Sequence, residues 1–255
     1  MANPSHATLV DAQFGARAAA YVTSAVHAQG PDLERLSAIM RGRNDWRVLD
    51  LGCGGGHAAF AAAPHVAAVV AYDLSAEMLA AVSAEAARRG LGNVATRQGR
   101  VEALPFADGE FDAVVTRFSA HHWHGFAAAL REARRVVRPG GTAVFMDAVA
   151  PADALLDTVL QSVELLRDPS HVRDWSIAQW HDALTRAGFA VAATTPGRIR
   201  LDFASWVARM NTPALQVQAI RALQGAMAQD VVAHFAIEAD GSFMLDTATI
   251  EATAA

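Results

Sequence analysis

Trp46-Arg-Val-Leu-Asp-Leu-Gly-Cys-Gly-Gly-Gly-His57 opens with a short apolar run, Val48 to Leu51, and then breaks into glycine at positions 52, 54, 55 and 56. An Ala-rich segment of helical composition, residues 57–63, follows at once. Strand, glycine turn and helix together bring bare backbone N–H groups and a helix N-terminus up against a ligand. The spacing is G-x-G-G-G with Asp50 two residues before the first glycine, whereas a pyrophosphate-binding dinucleotide site has G-x-G-x-x-G. It points to a nucleoside-like ligand other than NAD, and argues against the rival reading of a dehydrogenase.

Outward from this stretch, strands and helices alternate. A second strand over residues 66–72 ends in Asp73, which follows Asp50 at about the ~20-residue distance where an acidic residue meets a ribose. Ser75 suits the N-cap of a helix that runs to Arg89 and stops at Gly90. Strands are expected over residues 93–98, 111–116 and 142–147, with a helix over 126–137 between the last two. The alternation predicts a parallel sheet wound on both faces by right-handed crossovers, with ligands beyond the carboxyl ends of the strands. Asp50, Asp73, Gly99 and the histidine-rich loop His121–His124 all fall at those ends.

The flanks are less regular. Residues 1–12 are polar and expected to be mobile, and helices are expected over 14–30 and 32–41. Helices over 152–167 and 176–187 bracket a polar loop, residues 168–175, and a sixth strand is expected at 189–193 with a short extended piece at 198–201. Helices over 203–210 and 213–229 precede a hairpin expected to pair residues 236–237 with 243–250 around Asp240-Gly241. No repeat or linker divides the chain. One domain over 1–255 is expected, with N-terminal helices at 14–42, a ligand-binding core at 44–147, and substrate-side insertions and C-terminal strands at 148–255.

Composition narrows the function. A chain that is 53% hydrophobic and 18% charged is globular in character, and no apolar run reaches the ~18 residues of a membrane span. No basic start followed by an apolar stretch marks a secretion signal. The single cysteine, Cys53, excludes an internal disulfide framework and fits a reducing, cytoplasmic setting. A net charge of −5 with scattered basic residues lacks the footprint of a nucleic-acid binder. The histidines of His-His-Trp-His lack the carboxylate or cysteine pattern of a metal site, so no metal is expected.

Five motifs, VLDLGCGGG, AYDLSAEML, EALPF at 102–106, FDAVV and RVVRPGG at 135–141, occur in an order and at intervals that resemble the class I S-adenosylmethionine-dependent methyltransferases. The likeness is to the branch with the ubiquinone/menaquinone-biosynthesis C-methyltransferases (methyltransferase type 11). It covers residues 44–147, and Ala-Gly-Phe at 187–189 extends it. It implies a Rossmann-like fold: a seven-stranded, mostly parallel sheet with an antiparallel C-terminal strand and helical additions. The implied function is transfer of a methyl group from S-adenosylmethionine to a small-molecule acceptor by in-line displacement. S-adenosylhomocysteine would be the product, and the protein a monomer or homodimer without nucleic acid. A non-catalytic S-adenosylmethionine-binding protein on the same fold is the alternative.

By the same resemblance, Asp50 accepts from the methionine ammonium, while Gly52, Cys53 and Gly54 form the loop on which the cofactor's amino-acid end lies. Asp73 takes the ribose hydroxyls, Leu74 and Met78 flank the adenine, and Gly99, Arg100, Val101 and Glu102 bound its far edge. Arg117 and Phe118 lie by the sulfonium or methionine moiety. The family commonly has Asp at the position of Arg100. Arginine has no acceptor, so the adenine amino group must find Glu102, a carbonyl or water. His121 and His122 are the candidate general bases, because an unperturbed histidine titrates near ~6.5. Tyr21, His171, Arg173 and Trp175 are candidates to line the acceptor pocket, and Phe14 with Tyr21 either closes over the cofactor or is ordinary core.

Overall fold

A computed structural model of the chain describes residues 3–15 and 29–255. Seven strands form one sheet: β1 (Arg43–Leu51), β2 (Val66–Asp73), β3 (Val94–Gln98), β4 (Phe111–Arg117), β5 (Val137–Ala148), β6 (Phe189–Leu201) and β7 (Phe243–Ala254). Their order is β3-β2-β1-β4-β5-β7-β6. Pairs from β3 through β5 are parallel, and β7 runs antiparallel to both β5 and β6. The order reverses between β1 and β4, which opens a crevice at their carboxyl ends.

Strand alternation sends successive side chains to opposite faces, and the helices bury both. Against one face lie α2 (Pro31–Met40), α3 (His57–Ala62) and α4 (Ala76–Arg88), whose Leu36, Phe60 and Val82 pack with Val48, Val69 and Val115. Against the other lie α5 (Phe126–Val136) and α7 (Ile177–Ala187), whose Leu130 and Trp180 pack with Leu49, Phe111 and Phe145. Local chemistry sets the helix ends as expected. Ser75 caps α4 by accepting from the Met78 N–H, Ser176 and Gln179 close a reciprocal capping box on α7, and Gly188 ends α7 in the left-handed region. A third core joins α6 (Ala154–Arg167), α8 (Phe203–Met210), α9 (Ala214–Ala226) and α10 (Gln229–Phe235) to the ends of β6 and β7. No helix among the described residues is long and apolar enough to cross a membrane.

Four expectations are corrected. Residues 6–15 are not a mobile tail but helix α1 (His6–Gly15), while most of the helix expected over 14–30 lies outside the described residues. The two pieces expected around Pro196-Gly197 are one continuous strand, which tolerates proline because β6 is the sheet edge. The helix expected over 213–229 breaks at Met227-Ala228 into α9 and α10. The expected hairpin does not form: Ala236 takes a left-handed conformation that caps α10, the Ile237 N–H bonds the Val232 carbonyl, and residues 243–254 pair with β5 and β6 instead.

Candidate functional site

The end of β1 carries Asp50 into full burial. One oxygen, Oδ2, accepts from the Ala59 N–H in α3 at 2.9 Å, and the other, Oδ1, is buried with no hydrogen-bond partner among the described residues. Burial pushes this carboxyl up to about 7, against the Ala59 bond; nearby Asp73 adds to the rise and Arg117 opposes it. The chain then turns through Gly52, Gly54 and Gly56, all at positive φ. A Cβ at Gly52 would lie 1.9 Å from Ser119 Oγ, so the turn has no room for a side chain there. At Gly54 a Cβ would meet nothing within 4 Å, since that face opens onto a cavity.

Asp73, at the end of β2, accepts from the Gly54 N–H through Oδ2 at 2.9 Å and from the Ser75 N–H through Oδ1 at 3.0 Å. Burial raises its pKa, against these backbone bonds. Each carboxylate oxygen retains a lone pair for a ligand. Gly99 donates to the Asp73 carbonyl, and Tyr72 donates its hydroxyl to the Arg100 carbonyl at 3.1 Å, which fixes the turn after β3. Glu102 accepts from the Gly125 N–H at 3.2 Å and lies 3.5 Å from the Arg100 guanidinium.

One cavity gathers Gly52, Cys53, Gly54, Asp73, Leu74, Met78, Gly99, Arg100, Val101, Glu102, Arg117 and Phe118, with Asp50 buried beneath its glycine wall. Cys53 is a packing residue: burial and the two aspartates hold its thiol well above the ordinary range. Of a further wall the sequence pointed only to Phe14, as one of two residues that either close over the ligand or are ordinary core. Helix α1 contributes His6, Val10, Asp11 and Phe14 to this cavity, and its only signal was the aromatic at position 14.

The loop after β4 begins at Phe118, a non-glycine residue at φ 48, whose N–H bonds the Met146 carbonyl at 2.9 Å. Such left-handed strain concentrates at functional sites. A 3₁₀ turn over Ala120–His122 then carries both candidate bases, their ring centres 4.3 Å apart. His121 Nδ1 donates to Asp147 Oδ1 at 2.6 Å, and Asp147 also accepts from the Ala120 and Ala148 N–H groups. Burial opposes a charge on His121, but Asp147 prevails and lifts it to about 9. His122 Nδ1 lies 3.1 Å from the Ser170 carbonyl, and the ring meets the Phe14 edge at 4.9 Å. Burial and then the neighbouring imidazolium push His122 down. The two imidazoles are thus pulled in opposite directions, His121 toward its charged form by Asp147 and His122 toward its neutral form by burial and its neighbour.

A second cavity, of about 450 Å³, lies beyond the first and shares Phe14, Arg117, Phe118 and His122 with it as a common wall. His121 faces only this second space. Arg117 is fixed in the wall by an ion pair with Asp32 of α2 and by its guanidinium 4.8 Å above the Phe118 ring. Of the candidate acceptor residues, Tyr21 lies outside the described residues, and the other three line neither cavity. His171 bonds Gln161 at 2.9 Å, Arg173 pairs with Asp157, and Trp175 stacks on Phe126 at 4.6 Å. Their polar sequence context reflects the stitching of loop 168–175 to α5 and α6. Among the described residues no His/Cys/Asp/Glu group is arranged to hold a metal ion.

Residues 49–145 match the family described as Methyltransferase domain. The Escherichia coli (strain K12) protein YafE is 46% identical over 77% of this chain and 95% of its own length. The Bacillus subtilis methyltransferase YcgJ is 35% identical over 79% of both chains, and its crystal structure superposes with a TM-score of 0.83 over 87% of this chain and 97% of its own. A methyltransferase structure from Bacillus halodurans superposes with a TM-score of 0.84 at 32% identity, over 88% of this chain and 99% of that one. With the five motifs on β1 through β5 and the antiparallel β7, these matches assign the chain to the class I S-adenosylmethionine-dependent methyltransferase family, in its type 11 branch.

Proposed function

We propose that the protein binds S-adenosylmethionine in the first cavity and transfers its methyl group to a small molecule held in the second. The observation that carries this reading is the buried, unpartnered Oδ1 of Asp50 beneath an open glycine turn, with the Asp73 carboxylate across from it. An ammonium or an ordered water satisfies such an oxygen, and a ribose diol suits the free lone pairs of Asp73. When bound, the cofactor supplies a sulfonium-activated methyl. Asp73 would hold the ribose, Leu74 and Met78 the adenine faces, and Glu102 the adenine amino group that Arg100 cannot accept from. Asp50 and the Gly52–Gly54 turn would hold the amino-acid end. The wall of Arg117, Phe118 and His122 would orient the two reactants for in-line displacement and exclude water, which supplies several kcal/mol, up to ~7–11 in favourable cases.

The test is calorimetric titration with S-adenosylhomocysteine, with NAD as control. Micromolar binding is expected for the wild type, with a loss of at least ~100-fold in Asp73→Ala, which removes the ribose acceptor. No binding to a folded sample would overturn the reading. Gly54→Ala separates packing from ligand contact. The new Cβ meets no protein atom, so the stability cost is the ~1 kcal/mol of a positive-φ residue. Because that methyl fills ligand space, S-adenosylhomocysteine affinity falls by more than about tenfold in the same titration.

A further inference from the structure

The second cavity holds charged groups of both signs, and most have a partner. Of its five arginines, Arg35 pairs with Glu251 at 2.7 Å, Arg117 with Asp32, Arg167 with Glu164 at 3.3 Å and Arg198 with Asp246 at 2.7 Å, and Arg209 is engaged as well. His121 is matched by Asp147. Two lining carboxylates are left over. Asp168, 1% exposed, spends Oδ1 on the Ser170 N–H and hydroxyl at 2.8 and 2.7 Å, and its Oδ2 has no hydrogen-bond partner among the described residues. Asp174, 2% exposed, likewise has an unpartnered Oδ2.

The two adjacent histidines do not supply the missing donors. His171 Nε2 lies 3.9 Å from Asp174 Oδ2, but its hydrogen goes to Gln161 Oε1 at 2.9 Å. That assignment is fixed because the Gln161 amide NH₂ is committed to Asp157 and to the Asp174 carbonyl. His122 Nδ1 faces the Ser170 carbonyl, which only accepts, so Nδ1 carries the hydrogen and the neutral ring leaves Nε2 as an acceptor. His122 Nε2 and Asp168 Oδ2 thus face each other as two acceptors 3.9 Å apart, too far to bond and close enough to share one donor. A nitrogen bearing two or more hydrogens satisfies both. Leu201, Trp206, Met210 and Leu245 give the same space an apolar portion of its wall.

We infer that the second cavity takes an amphipathic amine, its nitrogen held by Asp168, Asp174 and the Nε2 of His122 and its apolar body set against Leu201, Trp206, Met210 and Leu245. The inference rests on the reading above for its meaning: if the first cavity holds the methyl donor, this amine is the acceptor, and its ammonium would first give one proton to Asp174 so that the freed lone pair forms the N–C bond as the methyl–sulfur bond breaks and S-adenosylhomocysteine leaves. Burial, which drives the Asp174 carboxyl up, is relieved by the same cation.

The experiment titrates the S-adenosylhomocysteine-loaded protein, and in parallel the ligand-free protein, with phenylpropylamine and its isosteres phenylpropanol and phenylpropionate. The amine is expected to bind at least about tenfold more tightly than the alcohol, and the carboxylate more weakly than either. Asp168→Asn and Asp174→Asn keep the side-chain volume and should each erase the preference for the amine while leaving S-adenosylhomocysteine affinity unchanged. Equal binding of alcohol and amine, no amine binding, or a preference that survives both substitutions overturns the inference. Failure of S-adenosylhomocysteine to bind, with amine binding intact on the ligand-free protein, overturns the donor reading and leaves the amine site standing.

Discussion

Asp50→Asn is expected to melt at a higher temperature than the wild type at pH 8 and to lose S-adenosylhomocysteine. In the folded chain the Asp50 carboxyl titrates at about 7, against 3.8 in its ordinary state, chiefly because it is buried. Between those values the folded protein holds a proton that the unfolded chain has released. The stability tied to this proton is therefore complete below about pH 4 and is lost as pH rises through 7. At pH 8 the wild type buries a full charge, and asparagine does not. The full three-unit difference would be ~4 kcal/mol; allowing for relaxation of the site, a gain of about 2 kcal/mol, or ~4–8 °C, is expected. The amide oxygen can still accept from Ala59, so the turn survives. What is lost is the negative oxygen for an ammonium. Scanning calorimetry at pH 4 and pH 8 checks the sign: the gain must vanish at the acid end, and a variant that is no more stable at pH 8 contradicts the account.

Asp147→Asn should be destabilised by about 3 kcal/mol at pH 6–7, the usual cost of stranding one partner of a buried pair. Asp147 accepts three hydrogen bonds, from His121 Nδ1, the Ala120 N–H and the Ala148 N–H. An amide can serve only part of this set and turns a donor toward another donor. The pH dependence has the opposite sign to that of Asp50. His121 is raised in the folded state, so its contribution is full below its ordinary value of 6.5 and is lost as pH climbs through about 9. The gap between wild type and variant should therefore narrow by pH 10 without closing, because the donor clash remains. Urea denaturation at pH 6.5 and pH 10 measures both parts; a gap that widens with pH would contradict the ion pair.

The first cavity was legible because its chemistry is local in sequence. Asp50, the glycines and Asp73 each sit at a strand end, and strand ends follow from periodicity and breakers. The second cavity was not legible. Asp168 and Asp174 lie in a loop whose polar composition reads as solvated, and only tertiary burial turns them into unpartnered acceptors. His171, Arg173 and Trp175 drew attention in that loop for the types of side chain they carry, yet all three point into structural contacts. The hairpin expected around Asp240-Gly241 failed for a similar reason. Local turn chemistry was sound, since Ser242 does bond Asp240, but the strand after it found longer partners in β5 and β6 than a two-residue strand could offer.

The insertion of β7 between β5 and β6 has a consequence for how the molecule assembles. β6 precedes β7 in the chain but bonds to no other strand, so none of its 13 residues has a sheet partner until β7 arrives. Until then β5 also presents an open, largely apolar edge. The five parallel strands can form in chain order, but closure waits on a segment about a hundred residues downstream of β5, a loop-closure step that is intrinsically slow. During that interval two unpaired edges offer themselves to neighbouring chains, which makes β7 docking the step where folding competes with aggregation.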